Sequence, residues 1–310
     1  MSALIDVIMP VFLVIGAGYL AAWRRLFPES AVNGLMLYAQ NFAVPVLLFS
    51  AISTLDLGDF RAPLLLSYYT GSFASFALGF AGARLLFARS PEDSIAIGFV
   101  ALFPNSLLLG LPITERAYGP DALTANYAII SIHAPLLYTF GIVLMEATRS
   151  RGAGLGPALF RQVAGSIFSN PLVIGILLGF AVNLSGVALP GALNSAVDTI
   201  AASALPAALF GLGGVLVRYR PAGDIKAIAW VGGISLLVHP AITYALGRWG
   251  LALDQAQLRS AVLTAAMAPG INTFLFANMF GAAKRVAASA VLLATAGSIF
   301  TIWIWLAVLP

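Results

Sequence analysis

The sequence predicts an all-α integral membrane protein: ten transmembrane helices forming two inverted five-helix repeats, with the fourth and ninth helices broken. Composition is the first reason. Of 310 residues, 60% are hydrophobic and 9% are charged, where an ordinary soluble domain has roughly 25% charged, so most of the surface must face lipid. The second reason is a pattern that occurs twice. Pro10, Gly18 and Pro45 recur as Pro171, Gly179 and Pro206, each 161 residues later. A period of half the chain points to a transporter-type internal repeat; helical arrays repeat every 20–50 residues, roughly. The third reason is a regular alternation of basic residues between loops.

Each span follows from the need for about 20 apolar residues to cross the hydrocarbon core. The first half offers Leu4–Trp23, Val32–Ile52, Pro63–Phe87, Ser94–Tyr118 and Thr124–Ala147. The second offers Ile167–Leu184, Val197–Val217, Ile225–Gly247, Leu258–Phe280 and Arg285–Leu309. Between them, about Thr148 to Ser166, lies a stretch with Gly152, Gly154, Gly156 and Pro157 that reads as a flexible linker. The domain reading is therefore residues 1–150, a cytoplasmic linker 151–166, and residues 167–310.

Orientation follows from the loops. Arg24, Arg25, Arg84, Arg89, Arg149, Arg151, Arg161, Arg218, Arg220, Lys226, Lys284 and Arg285 fall in one alternate set, and Arg61, Arg116, Arg248 and Arg259 in the other. Twelve of the 16 basic residues on one side puts that side in the cytoplasm and both termini outside. Because five is odd, the second half enters with the opposite orientation, so the repeat is inverted.

The fourth span contains Phe103-Pro104-Asn105-Ser106-Leu107-Leu108-Leu109-Gly110-Leu111-Pro112, and the ninth Ala268-Pro269-Gly270-Ile271-Asn272-Thr273. Two prolines and a glycine break the fourth helix near its midpoint, and Pro269-Gly270 does the same in the ninth. Unwound backbone at membrane depth is tolerated only where it is buried in protein or lines a cavity. Matching breaks in two halves therefore point to a substrate site. Each break leaves a half-helix N-terminus with free N–H groups and partial positive charge, suited to a carboxylate. The amides of Asn105 and Asn272 can donate to an anion and cap those ends. Transmembrane prolines also kink helices with no further role, and the paired arrangement is what favours a site.

Asn105-Ser106-Leu107 between Pro104 and Gly110-Leu111-Pro112, followed by Tyr118-Gly119, resembles the crossover segment of the auxin efflux carrier family of plant carriers and bacterial organic-acid permeases. Asn41-Phe42-Ala43-Val44-Pro45 is similar to that family's second span, and Pro269-Gly270-Ile271 with Phe274-Leu275-Phe276-Ala277 to its ninth. The resemblance covers essentially the whole chain. It implies that the fourth and ninth helices cross, that Asn105 lies nearest a substrate carboxylate, and that Pro112 belongs to the crossing. It also implies a scaffold of the first, second, sixth and seventh spans that dimerises, and a moving bundle of the rest. Thr273 stands where the closest motifs carry proline. The missing hydrophilic central loop favours a compact bacterial-type permease of the inner membrane.

The expected substrate-binding set is Asn105, Pro104, Gly110, Pro112, Pro269, Gly270, Asn272 and Asn41. Gln40 and Asn41 could equally bond helices together. His133, in the fifth span, and His239, beside Pro240 in the eighth, are candidate proton carriers or simple helix-interface donors. No span centre holds an Asp or Glu, which disfavours a carboxylate relay.

The function expected is movement of a small organic anion, malonate-, malate- or auxin-like, by alternating access. A sodium-coupled symporter of the bile-acid type and an intramembrane enzyme are the alternatives. Enzyme readings find no zinc-protease or nucleotide-loop motif, and Gly211-Leu212-Gly213-Gly214 lacks the strand–helix context of a dinucleotide site. Without cysteine, thiolate chemistry and Cys-ligated metals are excluded. No cofactor or metal is expected. The scattered basic residues read as membrane anchors rather than a nucleic-acid surface.

The topology is testable because the chain has no cysteine of its own. A cysteine introduced at Ser2 is expected to react with a membrane-impermeant thiol reagent on intact cells. Labelling only after the cells are broken open would reverse the orientation.

Overall fold

The structure is a computed structural model, and it describes residues 4–59, 61–150, 161, 165, 168–219 and 221–310. Those residues form helices and turns, with no strand. Among the described residues, seven helices are long and apolar enough to cross a membrane. They are α1 (Ile5–Trp23), α2 (Glu29–Ser53), α3 (Ala62–Leu85), α6 (Pro120–Arg149), α8 (Gly191–Leu216), α9 (Ile225–Gly250) and α12 (Lys284–Val308). The sixth expected span is the shorter α7 (Pro171–Ser185). The fourth is split into α4 (Pro91–Leu102), a π-turn at Ser106–Gly110 and α5 (Leu111–Tyr118). The ninth is split into α10 (Gln255–Ala265) and α11 (Ile271–Phe280). The expected linker, 151–166, lies outside the described residues apart from Arg161 and Gly165.

Local chemistry sets the helix ends. Ser90 accepts from Asp93 N, Asn170 from Leu172 N and Asp254 from Gln257 N, each satisfying a first-turn donor that has no intrahelical acceptor. These caps start α4 and α10 three residues before the apolar runs that predicted them. Gly186 and Gly281 close α7 and α11 in the left-handed conformation that glycine adopts at low cost.

Prolines set the helix interiors. Four π-turns each end two residues before a proline: Leu4–Ile8 before Pro10, Ala39–Ala43 before Pro45, Ser106–Gly110 before Pro112, and Ile234–Val238 before Pro240. Proline has no N–H for the carbonyl four residues back and its ring crowds that carbonyl, so a wider turn relieves the clash. At Pro240 the released carbonyl is that of Leu236, and the Trp305 indole donates to it at 3.0 Å.

By contacts the chain divides into two compact units. One comprises Met1–Met9, Phe60–Phe160 and Tyr219–Pro310; the other comprises Pro10–Asp59 and Arg161–Arg218. Each unit draws on both halves of the sequence.

In the second unit, glycines let helices touch backbone to backbone. A Cβ on Gly18 of α1 would fall 2.0 Å from the Phe210 carbonyl oxygen of α8, and one on Gly179 of α7 would fall 2.9 Å from the Phe49 carbonyl oxygen of α2. Adding the 161-residue offset turns Gly18 into Gly179 and Phe49 into Phe210. The two contacts are therefore the same contact with the halves exchanged.

In the first unit, the ends of the helices are tied polar group to polar group. At one end, Arg89 pairs with Asp224 at 3.1 Å, Asp93 accepts from Ala283 N at 2.6 Å, and Arg149 donates to the Phe280 carbonyl. Elsewhere Arg116 donates to the Asp6 carbonyl at 2.9 Å, and Arg259 lies over the Tyr118 ring and donates to the Pro310 carbonyl at 2.6 Å. Asp224 also caps α9 through Lys226 N and Ala227 N. Partial desolvation opposes its ionisation, but the N–H groups of Ala227 and Lys226 and the Arg89 guanidinium win, and hold its carboxyl below the usual range.

Two outcomes follow. Gly18→Ala is expected to destabilise the protein by more than the ~1–3 kcal/mol typical of overpacking, because the neighbour is backbone. Gly16→Ala, on the same helix with nothing within 4 Å, is expected to be neutral or mildly stabilising. Thermal unfolding in detergent compares them, and equal losses would refute the close approach. Asp224→Ala is expected to lower the melting temperature at neutral pH. A depressed carboxyl pKa contributes stability above the unfolded value, so that gap should close as pH falls below about 4.

Candidate functional site

The two helix breaks meet backbone to backbone within the first unit. Pro104 and Pro269 lie opposite each other in an isolated antiparallel bridge. Asn105 N donates to the Ala268 carbonyl at 2.8 Å, and Gly270 N to the Phe103 carbonyl at 3.1 Å. Proline has no N–H to give, so it fits only the position in such a bridge where neither residue donates, and its neighbours make both bonds. The segments that cannot continue as helix thus satisfy each other.

From this bridge two half-helices start. Asn105 is the cap of the Ser106–Gly110 turn, its Oδ1 accepting from Leu108 N at 3.3 Å while its carbonyl takes Leu109 N and Gly110 N. That occupies the oxygen of the side chain and leaves Nδ2 without a bond of its own in the turn. Gly270 heads α11 and has no side chain to cap it. The first N–H groups there, of Ile271 and Asn272, have no intrahelical acceptor. A Cβ on Gly270 would lie 3.5 Å from Asn105 Cα, which is ordinary contact. Two N-termini therefore converge at the bridge, each carrying partial positive charge.

The expected site residues separate into three groups. Pro104, Asn105, Pro269 and Gly270 are together at the bridge, all buried. Gly110 and Pro112 lie beyond it on the π-turn and at the start of α5, also buried; Gly110 N bonds the Asn105 carbonyl. Asn272 is in the first turn of α11, half-buried, and does not cap it; its carbonyl accepts from the Tyr138 hydroxyl at 3.1 Å. Asn41 is exposed on the π-turn of α2, in the second unit. Thr273, where related motifs have proline, returns its hydroxyl to the Gly270 carbonyl at 2.8 Å, which steadies the start of α11 by another route.

Around the bridge the packing is aromatic. Phe99 of α4 stacks on Phe276 of α11 at 3.9 Å, and Phe103 and Tyr138 meet at 5.5 Å. Gly141 of α6 leaves the room, since a Cβ there would fall 2.7 Å from the Phe99 ring.

Sequence reading missed Asn126. This fully buried residue of α6 donates to Thr264 of α10 at 2.6 Å and to Thr114 of α5 at 3.4 Å, so one amide spans both half-helices. Thr264 donates on to the Ser260 carbonyl, and Ser260 to the Ala122 carbonyl. An Asn near the start of an apolar run gives no sign of which threonines it will meet.

Comparison with known proteins supplies the family. The family model for membrane transport proteins matches residues 3–154 and 157–306. A protein of Rhizobium meliloti named "Putative malonate transporter" is 26% identical over 305 residues, covering 97% of this chain and 94% of its own. An uncharacterized transporter of Escherichia coli is 22% identical over 306 residues, covering 96% and 95%. Auxin efflux carrier component 3a of Oryza sativa is 27% identical over 204 residues, covering 64% of this chain and 32% of its own. The chain therefore belongs to the membrane transport protein family, that of the auxin efflux carriers, and is a multi-pass membrane transporter, not an enzyme.

Proposed function

We propose that the break between Pro104 and Pro269 binds a small carboxylate, malonate-like in the first instance, and that the protein moves it across the bacterial inner membrane by alternating access. The observation that carries this reading is the convergence of two half-helix N-termini on one proline–proline bridge, one of them without a side-chain cap. An anion at membrane depth must be compensated, and backbone dipoles with the Asn105 amide are the means available where span centres lack Arg and Lys.

The malonate named for the Rhizobium meliloti relative, which matches nearly end to end, supports a dicarboxylate over an auxin-like substrate. The bundle reading is ten spans in two inverted repeats, residues 1–150 and 167–310, joined by 151–166 in the cytoplasm. The exchanged Gly18–Phe210 and Gly179–Phe49 contacts support it. Both termini are external in this reading. Its support is that Arg89 and Arg149 take partners apart from those of Arg116 and Arg259, as their loops require. Two compact units, each with elements of both halves, are what rigid-body alternation needs. The unit containing the first, second, sixth and seventh spans is the proposed scaffold and homodimer surface.

Asn105→Ala removes the side-chain donor and leaves the backbone N–H groups. A lost hydrogen bond to a charged group is worth about 1.5–3 kcal/mol, so malonate affinity should fall roughly ten- to a hundredfold in folded protein. Asn105→Asp should be worse, because it sets a negative charge against the anion. Isothermal titration of purified protein measures both. Unchanged affinity in a folded Asn105→Asp variant would remove the bridge as the anion site.

A further inference from the structure

We propose that His133 and His239, joined through Tyr68, form a proton-binding site coupled to the anion in the break. The inference rests on the reading of that break as an anion site. The two histidines, 106 positions apart in sequence, come together against α3. The Tyr68 hydroxyl is 3.4 Å from His133 Nδ1, and the Ser72 hydroxyl is 3.1 Å from His239 Nε2. The Tyr68 ring lies 5.8 Å from one imidazole and 5.4 Å from the other.

Each imidazole uses one nitrogen and leaves the other, His133 Nε2 or His239 Nδ1, buried without a hydrogen bond. The Thr243 hydroxyl is also buried without a partner. Thr243 is close by: a Cβ on Gly71 would touch both its hydroxyl and the His239 ring. Native interiors satisfy nearly all such groups, so a cluster of open ones marks a place for water or a proton.

The surroundings decide what can change charge there. From α3 the rings meet Tyr68, Tyr69 and Ser72; from the break His133 meets Phe103; and the two imidazoles act on each other. Among the described residues no carboxylate, ammonium or guanidinium contacts either ring. Of the groups in this cluster, the imidazoles are the ones whose ordinary range lies near neutral pH; burial opposes their charged form, and an anion beside them would favour it. Repulsion between the two charged rings disfavours a second proton.

The cluster adjoins the break directly. The Phe103 ring is 4.5 Å from the His133 ring, and Pro104 follows Phe103 directly in the chain. A proton on His133 would therefore face an anion at Pro104–Asn105. Proton and anion then raise each other's affinity by one common factor, and anion affinity rises as pH falls.

Histidine occurs only twice in the chain, so isotope-labelled histidine in purified, tag-free protein reports these two rings alone. Imidazole resonances are followed by NMR from about pH 5 to about pH 8, with and without malonate. One ring is expected to protonate, its midpoint rising by about one unit with malonate, which matches a tenfold coupling. Malonate affinity between pH 8 and pH 6 should tighten about tenfold more in the wild type than in His133→Gln, malonate's own ionisation being common to both. His239→Gln and Tyr68→Phe carry the comparison should His133→Gln fail to fold. Rings that stay neutral throughout, beside malonate binding that still depends on Asn105, would overturn the proton site alone. Rings that titrate in a protein that binds no malonate would overturn the coupling and the anion reading together.

Discussion

Backbone polar groups that cannot be left open in lipid are the constraint on which this structure turns. A helix satisfies its own N–H and C=O groups, and a proline stops it from doing so. The chain puts prolines into the middle of its apolar segments, and the structure answers them in more than one way. Pro240 gains a π-turn and the Trp305 indole on the freed carbonyl. Pro104 and Pro269 instead answer each other, through the bonds of Asn105 and Gly270. Because that bridge is made, both half-helices can begin with N–H groups directed into the protein interior instead of into lipid.

The groups around the bridge keep it in place at several levels. Asn105 caps the turn that follows it, and Thr273 secures the turn after Gly270. The Phe99–Phe276 stack fastens α4 to α11, and Asn126 fastens α5 to α10. Each half-helix on one side of the bridge is thereby tied to a half-helix from the other broken segment. Such packing is what holds N–H groups in a fixed direction, and fixed dipoles stabilise a bound charge without reorganising.

The second unit solves a different problem by different means. Its helices make some polar bonds, such as Tyr38 with Ser203 and Asn183 with the Ile52 and Leu55 carbonyls, and add close backbone approach to them. Gly18, Gly175 and Gly213 each lie where a Cβ would strike a backbone carbonyl of the facing helix. Small residues at helix crossings gain dispersion contacts where lipid offers no hydrophobic drive for association. Polar ties and glycine contacts thus occur in both units, and in the second the glycines bring helix backbones directly against each other.

Sequence alone determined the class of the molecule and the places where its helices would fail. Composition dictated lipid as solvent, and Pro104, Pro112 and Pro269 marked the breaks, because proline acts through its own covalent geometry whatever surrounds it. The cap at Asn105 was legible for the same local reason. Partnership was not legible. That Pro104 would face Pro269, that Asn126 would reach Thr114 and Thr264, and that Tyr68 would stand between His133 and His239 are matters of which faces meet across the fold. Asn272 shows the limit: it has the residue type of a cap, yet the helix begins one residue before it, at Ile271, with Gly270 in the cap position. Local chemistry says what a residue can do; only the tertiary structure decides which neighbour it does it with, since contacts between distant segments depend on how whole helices pack.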